Sequence, residues 1–80
     1  MIKVRIISPE AELFSGEAQA VFLPGTLGEF EVLPDHAPII SSLDGGQVKL
    51  RLHGGEMKAF EIASGFVRTG RGEMTVCVEL

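Results

Sequence analysis

The chain has 80 residues, a formal net charge of −4 at pH 7 and a hydrophobic fraction of 45%. This length allows one small domain over residues 1–80 and excludes two-domain enzymes and nucleotide-binding α/β folds. The acidic balance argues against nucleic-acid binding, because phosphate contacts need several lysines or arginines to release counterions. Ten glycines and four prolines indicate many turns, and the β-branched residues between them favour short strands.

The first predicted strand opens the chain. Ile2, Val4 and Ile6 alternate with residues of the opposite face, which is typical of a strand with one buried face. Ser8-Pro9 ends this strand, because proline cannot donate a ladder hydrogen bond.

The next predicted strand covers residues 17–23, up to the turn signal at Pro24-Gly25. Read as one uninterrupted strand, it places Ala18, Ala20 and Phe22 on one face. Its other face carries Glu17, Gln19 and Val21.

A stiff loop is predicted near the middle of the chain. A short strand over residues 29–33 precedes residues 34–38, which cannot be helical because two prolines lie four positions apart. Ile39-Ile40 then reads as an apolar anchor, and residues 44–46 read as a turn.

A hairpin is predicted around Gly54-Gly55. Val48, Leu50 and Leu52 share one strand face, and a one-residue slip would reverse every side chain of the partner strand. A two-residue loop would put Phe60 and Ile62 on the Lys49 and Arg51 face, so the apolar pattern favours a three-residue loop over residues 54–56, with a glycine at positive φ. The predicted pairs are His53 with Met57, Leu50 with Phe60 and Val48 with Ile62.

The last predicted hairpin joins residues 66–69 to residues 74–80 around Gly70-Arg71-Gly72. Its inward-facing residues are predicted to be Met74, Val76, Val78 and Leu80. In total about nine to ten short strands are expected, at the spacing of an all-β antiparallel β-sandwich or flattened barrel.

Few residues offer catalytic or metal-binding chemistry. His36, His53 and Cys77 are the only nitrogen or sulfur candidates, which is too few for a structural zinc site. Cys77 reads as a small residue on a sheet face, and a lone cysteine forms no internal disulfide. Glu29 and Glu31 read as a solvated strand face rather than an acid–base pair. We expect no catalytic residue, no metal and no cofactor.

The segment Gly28–Pro38, with the sequence GEFEVLPDHAP, resembles the epsilon subunit of F-type ATP synthases. Members of that family carry a G-E-x-G-x-x-P-x-H-A-P segment after their early strands. Glu31 stands where the family usually has glycine, and Asp35 stands where glycine is common, so the loop here is expected to differ slightly in shape. Further similar segments follow the family in chain order: Ile7–Glu10, Leu13–Gly16, Gly45–Val48 and Ala63–Phe66.

The resemblance implies a rotor subunit that is not itself an enzyme. Such a subunit sits at the foot of the central stalk and binds the gamma subunit and the ring of c subunits. It couples ring rotation, driven by an ion gradient, to the shaft used for ATP synthesis. The implied location is peripheral, on the cytoplasmic face of the cell inner membrane. No direct membrane insertion is expected, because no apolar run approaches the ~20 residues that span a bilayer.

The resemblance also bears on regulation. Epsilon subunits usually continue into two helices that can inhibit ATP hydrolysis and that bind ATP in some relatives. This chain stops at Leu80, where the sandwich is expected to finish. Neither inhibition by a helical arm nor ATP binding is therefore expected of the residues present.

The family correspondence assigns interface residues. Three groups are expected: Gly28, Glu29 and Phe30 contact the c ring; Ser8, His36 and Ser41 face gamma; Pro34 and Pro38 make the loop rigid. The alternative function is a stand-alone β-sandwich module that binds a peptide or small ligand. The absence of Trp and Tyr disfavours this alternative, because ligand platforms often use them.

Overall fold

The computed structural model describes residues 1–80 and contains nine β-strands and no helix. This confirms the predicted all-β fold and strand number. The strands are β1 (Ile2–Ile7), β2 (Glu12–Ala18), β3 (Ala20–Gly25), β4 (Gly28–Val32), β5 (Ile40–Leu43), β6 (Gly46–Arg51), β7 (Met57–Ile62), β8 (Ser64–Gly70) and β9 (Glu73–Glu79).

The strands form one sheet that curls into a half-barrel, and its two end strands come together where Phe14 of β2 contacts Phe60 of β7. Along the sheet the order is β2-β1-β9-β8-β5-β3-β6-β7, with β4 on the other side of β3. β5 joins β3 through a single residue pair, Gly25 with Leu43, which marks the bend between the two layers. Seven of the eight strand pairings are antiparallel, and β1 with β9 is parallel.

The core lies between the two layers and is wholly apolar. All 16 buried residues are hydrophobic. They include the predicted inward-facing residues of the first and last strands: Ile2, Val4, Ile6, Met74, Val76 and Val78. Leu80 is wrongly predicted to face inward. It is 69% exposed because β9 ends at Glu79 and no neighbouring strand covers the last residue.

The predicted strand over residues 17–23 is wrong in its continuity. The chain bends at Gln19, which separates β2 from β3. β2 pairs with β1, whereas β3 pairs with β4 and β6, so the bend carries the chain from one layer to the other. The bend shifts the alternation. Ala18 and Ala20 are buried together with Val21 and Leu23, whereas Phe22 is only partly buried, so Phe22 does not share a face with the two alanines as predicted.

The β6–β7 hairpin has the predicted faces but a different register. Phe60 pairs with Val48, and Ile62 pairs with Gly46, two residues away from the predicted partners. The loop is longer than predicted because Leu52 leaves the ladder, and its amide donates to the Glu56 carbonyl oxygen (2.7 Å). Both loop glycines have positive φ, 88° and 90°. The apolar pattern predicts which face of each strand is buried. It cannot predict the register, because a shift by two residues leaves the same side chains on each face.

Candidate functional site

The β3–β4 hairpin ends in an exposed two-residue tip. Gly25 pairs with Gly28, so Thr26 and Leu27 form the turn between them. Gly28 has φ of 123°, a backbone conformation that other residues rarely adopt. The Leu27 side chain is fully exposed (103%). A large apolar side chain therefore projects from the end of the hairpin with no contact to cover it.

Phe30 supports this hairpin from below. A Cβ atom built on Gly25 would lie 2.7 Å from the Phe30 ring, so the ring packs directly against the glycine backbone. Phe30 is half-buried and packs against the core cluster. Of the three residues expected to contact the c ring, Gly28 and Glu29 are exposed, whereas Phe30 is partly buried within the domain.

The loop after β4 begins with a hydrogen-bonded turn. The His36 amide donates to the Leu33 carbonyl oxygen (3.0 Å), which puts Pro34 and Asp35 at the two central positions. Proline suits the first of these because its φ is already fixed near the required value. His36 Nδ1 lies 2.8 Å from the Ala37 carbonyl oxygen, to which it donates. Pro34 and Pro38 are both exposed within this non-helical loop.

Thr69 anchors the far end of the loop on β8. The Ile39 amide donates to Thr69 Oγ1 (3.0 Å), and the Thr69 amide donates to the Ile39 carbonyl oxygen (2.9 Å). Ile39 packs against the core, but Ile40 is 76% exposed. The prediction of an Ile39-Ile40 anchor is thus wrong for Ile40, whose side chain lies on the opposite face of β5.

The hairpin tip and the anchored loop together border an open depression of about 430 Å³. We call its border the tip surface: Thr26, Leu27, Gly28, Glu29, Phe30, His36, Ile39, Ile40 and Ser41. The structure thus brings His36 and Ser41, expected to face gamma, to the same place as the three residues expected to meet the c ring. Ser8 lies elsewhere, in a depression of about 480 Å³ beside Phe66 and Cys77.

Glu29 and Glu31 carry the charge beside the tip surface. Glu29 Oε2 lies 3.7 Å from Lys49 Nζ, and Glu31 Oε2 lies 3.6 Å from Arg51 Nη2. Both pairs cross over β3, since β4 and β6 lie on its two sides. The Arg51 guanidinium also lies 5.7 Å from the Phe22 ring centroid. All four charged side chains are 39–54% exposed, so each pair contributes at most about 1 kcal/mol.

Sequence reasoning missed Leu27, Thr69 and the two cations on β6. Leu27 gave a usable signal, because an apolar residue between Thr26 and Gly28 in a hairpin turn has no strand face to cover it. No feature of the sequence indicated the pairing of Lys49 and Arg51 with the carboxylates of β4, because that pairing depends on the order of strands in the sheet.

The arrangement offers a contact surface rather than a reactive centre. It combines an exposed apolar tip, a neighbouring carboxylate and a loop held by proline and backbone hydrogen bonds. The structure shows no group of three or more His, Cys, Asp or Glu residues that could hold a metal ion. No helix in it is long and apolar enough to cross a membrane.

A family model described as "ATP synthase, Delta/Epsilon chain, beta-sandwich domain" matches residues 1–80. The fold is similar to a chain in the cryo-EM structure of Euglena gracilis mitochondrial ATP synthase, OSCP/F1/c-ring, with a TM-score of 0.90 and 20% identity. That match covers 96% of this chain and 49% of the other. A chain in the Tetrahymena thermophila mitochondrial ATP synthase central stalk/c-ring structure matches with a TM-score of 0.80 and 17% identity, covering 99% and 63%. The chain thus spans about half of the first relative's length and less than two thirds of the second's.

Proposed function

We propose a function for this chain, which belongs to the family of ATP synthase delta/epsilon chains and carries their β-sandwich domain. It acts as a central-stalk rotor subunit that couples rotation of the c ring to the gamma shaft during ATP synthesis. The observation that carries the proposal is the family match over all 80 residues. The role is mechanical, and the catalytic chemistry belongs to other subunits.

The solved relatives support the c ring and gamma as the proposed partners. Both come from ATP synthase assemblies that include a c-ring, and one is a central-stalk assembly. A closely packed β-sandwich suits a coupling part, because dense interiors have low compressibility and transmit strain. We propose that the domain is peripheral to the membrane and is held there by its partners.

The hairpin part of the tip surface, residues 27–30, is the proposed contact with the c ring, and its loop part, with His36 and Ser41, is left to gamma. Leu27 and Glu29 project at the hairpin end, and Glu29 is still 54% exposed despite its ion pair with Lys49. Its carboxylate can therefore accept hydrogen bonds from polar groups on c-subunit loops. Gly28 lets the backbone approach such loops closely, and Phe30 holds the hairpin in place.

The proposed gamma contacts are Ser8, His36 and Ser41. Because His36 and Ser41 border the tip surface while Ser8 lies apart, gamma would have to reach both places. Pro34 supports this contact by fixing the turn that presents His36.

Site-directed cross-linking tests the c-ring contact. Cys77 is first changed to Ser, and Glu29→Cys is then combined with a cysteine in the polar loop of the c subunit in the assembled enzyme. We expect oxidation to give a disulfide between the two subunits. Glu56→Cys is the matched control, because that carboxylate lies in the β6–β7 loop, at the opposite end of β3 from the tip. Equal cross-linking at both positions, or none at position 29, would contradict the tip contact.

Binding to purified gamma separates this function from a stand-alone ligand-binding module. A rotor subunit should co-elute with gamma as a stable complex on gel filtration, and an independent module should elute alone.

A further inference from the structure

We infer that the half-barrel opens first along the seam between β2 and β7, which only side chains hold closed. β2 and β7 are the two ends of the strand order. β2 pairs only with β1, and β7 pairs only with β6. No backbone ladder joins the two end strands, so only side chains connect them; β4, which pairs only with β3, has the other open edge.

Three side chains, Phe14, Lys58 and Phe60, bridge the seam, and we call them the clasp. The Phe14 and Phe60 ring centroids lie 6.1 Å apart with an interplanar angle of 62°, an edge-to-face arrangement that aromatic rings favour. Lys58 Nζ lies 5.7 Å from the Phe14 ring centroid, within cation–π range. Phe14 therefore contacts both an aromatic and a cationic side chain of the opposite strand.

A β-bulge in β2 positions Phe14. The register changes from Ile6 opposite Phe14 to Ile7 opposite Glu12, which leaves Leu13 without a partner. As a result Leu13 and Phe14, although consecutive, both pack against the core. Bulges of this kind bend an edge strand and raise its twist.

Apart from its ladder with β6, β7 packs against the core only in its second half, through Phe60 and the buried Ile62. Met57, Lys58 and Ala59 are all exposed, so the first half of the strand buries little surface. Phe60 is the first residue of β7 that packs against the core, opposite Val48. β9 differs, because it lies between β1 and β8 and forms a ladder with each. Because the free energy of local opening is lower where fewer contacts must break, β7 should leave the sheet before β9 does.

Native-state hydrogen exchange measures the step that follows opening of the seam, because the β7 amides become exposed only when β7 leaves β6. The Lys58 and Phe60 amides are the probes in β7. In an antiparallel ladder every second residue pair is hydrogen-bonded, and counting from the Leu52–Glu56 hydrogen bond places the Lys58 and Phe60 amides in hydrogen bonds to β6. We expect them to be protected at least roughly tenfold less than the Thr75 and Cys77 amides of β9, with a weaker dependence on denaturant. Equal protection and equal denaturant dependence in the two strands would overturn the inference.

Variants separate seam opening from global unfolding. Phe60→Ala removes contacts that break both when the seam opens and when the whole domain unfolds, so exchange should accelerate in β7 and β9 alike. Lys58→Ala should have the same effect but a smaller one. Val76→Ala is the matched control, because Val76 is buried in β9 and its contacts survive opening of the seam. It should accelerate the β9 amides and leave those of β7 unchanged. If Val76→Ala does not fold, Thr69→Val on β8 replaces it. Acceleration of both strands by the control would show that only global unfolding occurs.

Discussion

Gly25 shows how a single missing side chain shapes the tip surface. Its position lies against the Phe30 ring and the Gly28 carbonyl oxygen, at 2.7 and 2.8 Å from a built Cβ. Both distances are shorter than real Cβ contacts, so any side chain would have to push the ring or the turn aside. The close approach keeps Phe30 half-buried and leaves Leu27 alone at the exposed end.

We expect Gly25→Ala to destabilise the domain by about 1–3 kcal/mol, the usual range for overpacking. Gly70→Ala is the control, because a Cβ there meets no atom within 4 Å and its cost should stay within about 0.5 kcal/mol. Urea unfolding followed by circular dichroism gives both values. Similar midpoints for the two variants would mean that Phe30 moves aside freely.

The role of Phe30 also marks a limit of sequence reasoning at the residue scale. The sequence places Phe30 in the segment expected to meet the c ring. That its ring covers Gly25 depends on the register of β3 with β4, in which Leu23 pairs with Phe30 and Gly25 with Gly28. Contacts across a ladder need this register, which residue types alone leave open.

At the scale of the elements, strand faces could be predicted better than strand partners. The alternation in β1, β6 and β9 identified their buried sides, because period-two patterns report burial directly. The bend at Gln19 escaped detection, since neither glycine nor proline marks it. The β6–β7 register escaped for a different reason: shifting it by two residues keeps the same faces buried.

The two ion pairs across β3 couple β4 to β6 and predict a measurable interaction. A double-mutant cycle of Glu31→Ala and Arg51→Ala should give a coupling of about 0.2–1 kcal/mol in low salt. It should shrink in 1 M NaCl, where screening acts within about 3 Å. Arg51→Ala alone should cost more than Glu31→Ala, because the guanidinium also lies over Phe22. Equal single-variant costs would mean that the Phe22 contact contributes nothing.

The whole molecule depends on contacts between distant parts of the chain. β1 and β9 are neighbours although Lys3 and its partner Glu73 lie 70 positions apart. The family resemblance gave the sandwich as a whole, but nothing in the strand pattern indicated that its first and last strands are parallel neighbours. Parallel pairing needs a long connection, and here the connection is nearly the entire chain.

This topology predicts slow folding for a domain of 80 residues. Closing the loop between β1 and β9 costs chain entropy before their contacts form, so the main folding phase should last milliseconds to seconds, as in other all-β domains. Stopped-flow refolding from urea measures it, and interrupted unfolding separates any slower phase caused by prolyl isomerisation.

Ile6→Val in β1 and Phe60→Leu in β7 provide a comparison. If β1 docks on β9 in the transition state while the seam closes later, Ile6→Val slows folding and Phe60→Leu mainly speeds unfolding. Folding within microseconds would contradict the dependence on long-range pairing.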